Sequence, residues 1–145
     1  MNRSVIWFHS ESIPFRLRDK RKVRNWLLAV ANAEGKTVGP LNFIFCDDAY
    51  LLEINQQYLN HDTYTDIISF DYGVEAQISG DIFISVERIR ENAQQRNVRV
   101  QDELHRVMAH GVLHLCGYKD KSPADKALMT SQEDKSLSLR DLSGL

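Results

Sequence analysis

The sequence predicts an α+β domain in which a small, mostly mixed β-sheet packs with about five helices. Three observations predict it. A chain of 145 residues suits one domain, 1–145. Its 43% hydrophobic and 26% charged content is ordinary for a globular protein. Its apolar spacing alternates between strand and helix periods in the order β-α-β-α-β-β-α-α-α.

Val5 to Phe8 is a short apolar strand. Residues 18–34 read as a helix, because Val23, Trp26, Leu27 and Val30 follow the i, i+3, i+4, i+7 spacing of a buried stripe. Gly35 is a suitable C-cap. Leu41 to Cys46 reads as a strand, and Asp47 or Asp48 then caps a helix carrying Leu51, Leu52, Ile54 and Tyr58. Asp66 to Phe70 and Ser79 to Val86 are two further strands, joined by a loop or hairpin connection containing Gly73. Residues 86–96 and Asp102 to Leu115 are helical. The last helix follows Ser122-Pro123, with Ser122 as N-cap, Pro123 at the first helical position and Asp125 complementing the dipole.

Several classes are disfavoured. No apolar run approaches the roughly 20 residues of a membrane span. The apolar run at the N-terminus is too short for a signal peptide. Cys46 and Cys116 form no CxxC, which fits a reduced, cytoplasmic protein. The net charge of −2 does not announce a nucleic-acid binder, although it leaves room for a local basic patch.

The chemistry concentrates in His110-Gly111-Val112-Leu113-His114-Leu115-Cys116-Gly117-Tyr118-Lys119-Asp120. Two histidines four apart share one helix face, so both imidazoles can reach one metal ion. That pair alone is a weak signal. Gly117 can end the helix and turn the chain back, which brings Asp120 to the place of a third ligand. His110, His114 and Asp120 with one open position form the pattern of a catalytic zinc site. The spacing H-x-x-x-H-x-x-G-x-x-D follows the metzincin layout except at two positions. Gly111 stands where a zinc protease has its Glu base, so peptide hydrolysis by that route is disfavoured. Asp120 replaces the usual His and makes the site less positive. Two His and one carboxylate also suit iron, cobalt or nickel, so zinc is the expectation with another first-row divalent metal possible.

Three blocks together resemble the YbeY family of bacterial endoribonucleases and rRNA maturation factors. Ile54 to Asn60 followed by Tyr64 to Phe70 looks like the family's LNxxYR…pTDVLSF segment. Gly80 to Ser85 is similar to its GDIxI strand, and His110 to Tyr118 to its HGxLHLxGY core. The resemblance covers nearly the whole chain. It implies a zincin-like fold and one zinc on three residues. It further implies single-strand-specific endoribonuclease activity in rRNA maturation, namely 16S rRNA 3′ end processing, ribosome assembly and quality control. Ribosomal RNA and the small ribosomal subunit would be the partners. Two departures stand out: the family's GYDH is Gly117-Tyr118-Lys119-Asp120 here, and its arginine after the first-block tyrosine is Leu59.

On this reading the metal would polarise a phosphodiester or activate water. With no acid at position 111, Asp66 is the candidate proton acceptor, its other role being a turn or cap residue. Asp81 could orient a histidine or sit at a strand edge bonded to a turn. Cys116 and Met129 read as core filling, and His105 lies off the ligand face. His9 and His61 read as surface residues. The basic run from Arg16 through Arg18 and Arg21 to Arg24 is the candidate RNA-backbone contact, or else a solvated helix face. Two other functions stay open: a metal-stabilised ribosome-assembly factor without catalysis, and a metal-dependent hydrolase of another substrate.

Overall fold

A computed structural model describes residues 5–59 and 65–145. The elements run β1 (Ile6–Ser10), α1 (Lys20–Ala33), β2 (Thr37–Cys46), α2 (Asp48–Leu59), β3 (Ile67–Asp71), β4 (Gln77–Ser85), α3 (Val86–Arg96), α4 (Val100–Leu115) and α5 (Pro123–Ser138). A short 3-10 turn, Leu139–Ser143, closes the chain. The element order is the one the apolar spacing implies, and the architecture is α+β.

The sheet order is β1-β2-β4-β3. β1 and β4 both pair parallel to β2, whereas β3 pairs antiparallel to β4. The two parallel pairs require helical crossovers, and α1 supplies the one between β1 and β2. β2 begins four residues earlier than its apolar run suggests. Gly39-Pro40 looks like a break, but a register shift between Val38 and Leu41 absorbs it as an irregularity within the strand.

The main core lies on one sheet face. Leu41, Phe43 and Phe45 of β2 and Ile82 and Ile84 of β4 are almost wholly buried there, beneath α1, α3 and α4. The predicted stripe Val23, Trp26, Leu27, Val30 is the buried face of α1. Trp26 also donates its indole N–H to Ser136 O at 2.8 Å, which ties α1 to α5. The opposite sheet face carries a smaller cluster of Cys46, Leu51 and Ile68 beneath α2.

Helix ends follow local chemistry. Ser122 and Asp125 form a reciprocal capping box at α5, with Pro123 inside it. Glu34 rather than Gly35 caps α1, and Gly35 follows it at φ +73. α4 begins two residues before Asp102, and its cap, Arg99, contributes no side-chain hydrogen bond. That start carries no readable sequence signal.

Candidate metal centre

α4 ends at Leu115 with Cys116 as its cap, and Gly117 adopts φ +110, where an L side chain would be strained. The chain therefore turns back over the last turn of α4 and returns through α5, which packs against α4. This reversal brings Asp120 to the histidine face: Asp120 Oδ2 lies 3.8 Å from His110 Nε2. Two donors on one tetrahedral zinc, with bonds of about 2.0–2.2 Å, stand roughly 3.4 Å apart, so the pair is close to a ligand spacing.

Each imidazole has its Nδ1 engaged. His110 Nδ1 meets Glu133 Oε2 at 2.7 Å, and His114 Nδ1 meets the Tyr118 carbonyl oxygen at 3.1 Å. An imidazole whose Nδ1–H donates in this way keeps Nε2 as the free lone pair. The donor chemistry fits a divalent metal: two imidazoles and a carboxylate, with Nδ1 partners in place. Among the described residues, however, no three His, Cys, Asp or Glu groups stand together as a closed cluster. His110 and Asp120 form the near pair, and His114 lines the same cleft as both.

Glu133, on α5, belongs to no motif. It is nearly buried, and its second oxygen accepts from Arg106 Nη1 at 2.8 Å. Burial opposes a charged imidazole at His110, but the hydrogen bond and charge of Glu133, with Asp120 and Asp66 beyond, outweigh it and raise the His110 pKa. Burial opposes charge on Glu133 too, but the hydrogen bonds and charges of His110 and Arg106 outweigh it and carry its carboxyl below the usual range.

These groups open on a cleft of about 820 Å³. Asp66 lines it, immediately before β3, where burial pushes its carboxyl upward. Asn92 Nδ2 donates to Asp66 Oδ2 at 3.4 Å. Leu59, at the position of the resembled family's arginine, also lines the cleft. The cations there are Arg96, Arg106 and Lys126, none of which the sequence pattern marks. Arg96 is paired with Glu103, and Arg106 with Glu133 and Asp134.

Other expected residues fall elsewhere. Arg16 and Arg18 line a separate depression, and Arg21 is an exposed residue of α1 that lines neither. Asp81 accepts from Asn42 Nδ2 at 3.2 Å, so its observed partner is an amide on the sheet and not a histidine of the motif. Cys116 packs against the core, and burial pushes its thiol up to about 11. Met129 is buried beneath the cleft, and His105 is buried against Trp26. His9 is exposed, and its Nε2 meets Asn42 Oδ1 at 2.9 Å. His61, Asn60 and Tyr64 lie outside the described residues.

Gly111 has a packing reason. A Cβ there would meet Ile67 Cδ1 and Ile82 Cδ1 at 3.0 Å. The helix lies directly on the sheet at this point, leaving no room for the acid that a zinc protease places beside its first ligand.

The chain is also similar to known proteins. The family described as endoribonuclease YbeY matches residues 6–140. A Flavobacterium psychrophilum protein named endoribonuclease YbeY is 59% identical over 93% of this chain and 96% of its own length. A protein of the same name from Cytophaga hutchinsonii is 50% identical over 97% and 99%. The solution structure of a Thermotoga maritima protein, 24% identical, superposes with a TM-score of 0.66 over 93% of this chain and 88% of that one. This last likeness concerns the fold.

Proposed function

The chain belongs to the endoribonuclease YbeY family, and on that footing we propose that it is a metal-dependent, single-strand-specific endoribonuclease of rRNA maturation. Its setting is the cytoplasm, its substrate ribosomal RNA at the 16S 3′ end, and its larger partner the small ribosomal subunit. The observation that carries the reading is the His110–Asp120 approach of 3.8 Å beside His114 on one cleft. His110, His114 and Asp120 would hold one ion, with zinc the first choice. When bound, such an ion supplies Lewis-acid polarisation of a phosphodiester.

The chain's own residues do the rest. Glu133 and the Tyr118 carbonyl hold the two imidazoles so that each Nε2 is available. Asp66 is the candidate proton acceptor, because it is a carboxylate on the same cleft whose environment raises its basicity. The Asp66→Asn variant should lose about 10²- to 10⁴-fold in turnover while still binding metal.

The deciding experiment is metal analysis of the purified protein with cleavage of single-stranded rRNA fragments. The intact protein should carry about one equivalent of metal and cleave. His114→Ala and Asp120→Ala should lose both. Unchanged cleavage by His114→Ala, with the fold intact, would overturn the metal-dependent reading. Leu59 on the cleft wall favours one second reading, a ribosome-assembly factor without turnover. Stoichiometric small-subunit binding without cleavage would decide for it.

A further inference from the structure

The arginines of the metal-site cleft are already committed. Arg96 bonds Glu103 at 3.4 Å, and Arg106 bonds Glu133 at 2.8 Å. Four carboxylates, Asp66, Glu103, Asp120 and Glu133, outnumber the three cations that line it. A polyanionic strand thus meets little free positive charge there beyond Lys126 and whatever ion the site holds.

Free positive charge gathers in a second depression. Arg16 and Arg18 from the segment before α1 and Arg90 from α3 line one depression of about 360 Å³. All three are exposed, and none has an ion pair among the described residues. Its floor is apolar: Leu17 and Leu104 are buried, and Phe15 is half-buried against Phe45. Three unpaired guanidinium groups from two separate parts of the chain converge on one concavity, in a protein whose net charge is −2. Such an arrangement matches an extended phosphate backbone with its sugars or bases against an apolar surface.

The depression and the cleft are lined by consecutive residues of α4. Leu104 faces the depression, while its neighbour Glu103 lines the cleft. From Leu104 to His110 is six residues of α4, an axial offset of about 9 Å at roughly 1.5 Å per residue. At about 100° per residue the two side chains also point roughly 120° apart around the helix, so the path exceeds the axial offset, and with about 3.4 Å between stacked nucleotides at least about three nucleotides separate the two places.

We propose that the Arg16–Arg18–Arg90 depression is a second RNA-backbone site that anchors the strand flanking the linkage to be cut. This inference rests on the endoribonuclease reading. It narrows the basic run of the sequence to Arg16 and Arg18, adds Arg90 and leaves Arg21 out.

The test is equilibrium binding of a labelled single-stranded 2′-O-methyl oligoribonucleotide of about twelve nucleotides across a range of salt. The variants are Arg16→Gln, Arg18→Gln and Arg90→Gln, singly and together, with Lys135→Gln on α5 as the charge control. Removing one arginine–phosphate pairing should make the slope of log affinity against log salt shallower by about 0.7, so the triple variant drops by about 2. Lys135→Gln should leave the slope unchanged. A wild-type slope in the folded triple variant overturns the proposal. So does three-arginine-dependent binding of an acidic peptide with RNA affinity untouched, which would assign the depression to a protein partner. Failure of the endoribonuclease reading shows separately, as absence of RNA cleavage by the metal-loaded wild type.

Discussion

Glu133 Oε2 and His110 Nδ1 stand 2.7 Å apart across the packing of α5 on α4, and Arg106 holds the other Glu133 oxygen at 2.8 Å. The carboxylate therefore fixes both the tautomer and the ring orientation of the first motif histidine. Glu133→Gln, with the oxygen of its amide toward Arg106, would turn a donor on His110. Metal affinity should fall about 10- to 100-fold, as is usual when a histidine loses its orienting carboxylate. Zinc titration monitored by calorimetry reads this directly, and a far-UV spectrum shows whether the fold survives.

Gly111→Ala is expected to destabilise despite a better helix former. Alanine gains up to about 1 kcal/mol of helix propensity over glycine. Its Cβ would meet Ile67 and Ile82 at 3.0 Å on two different strands, and overpacking of that kind costs about 1–3 kcal/mol. Urea unfolding should show a net loss of about 1 kcal/mol or more. Bound metal should fall as well, because the displaced segment carries His110.

Gly80→Ala should be harsher. The added Cβ would fall 2.1 Å from the Phe70 carbonyl oxygen, a backbone atom that cannot rotate away. β3 and β4 pair through Phe70↔Asp81 and Asp71↔Gly80, so that end of the pairing has to open. A loss of about 3 kcal/mol is expected, measured as a lower unfolding midpoint.

Acid should weaken the fold through His105. Burial, then the charge of Arg140, pushes its pKa down to about 4, and its Nε2 has no partner among the described residues. In the unfolded chain the group titrates near 6.5. Between those values the unfolded state binds the extra proton, so this contribution is present above about pH 6.5 and is lost as pH falls toward 4. The loss is about 2 kcal/mol at pH 5, and His105→Phe should flatten that limb of the stability curve. Urea midpoints of the two proteins at pH 7 and pH 5 make the comparison.

Chelation should both stop RNA cleavage and lower the melting temperature. Metal present at about 100 times its dissociation constant stabilises a fold by about 2.7 kcal/mol. For a chain of this size that corresponds to about 8 °C. An unchanged melting temperature in EDTA, with cleavage retained, would speak against a resident metal.

Much of the fold and part of the site are legible in the sequence alone. The buried stripe of α1 follows from four apolar residues, and the α5 start from Ser122, Pro123 and Asp125, because both are local patterns. That His110, His114 and Asp120 line one cleft is readable, because helix pitch and a following glycine bring them to the same side. Glu133 is not, since its meeting with His110 depends on α5 folding back along α4, and no spacing rule encodes that packing. Arg90 is hidden for the same reason: only the third dimension sets it beside Arg16 and Arg18. The long start of β2 is concealed by Gly39-Pro40, whose local meaning is a break.

β3 is an edge of the sheet, paired to β4 alone among the described residues, and Ile67, Ile68 and Ser69 line the cleft. Part of the cleft wall is thus peptide backbone, whose donors and acceptors stay the same when side chains are exchanged. Substitutions along this strand alter the contour of the wall and leave its hydrogen-bonding lattice intact.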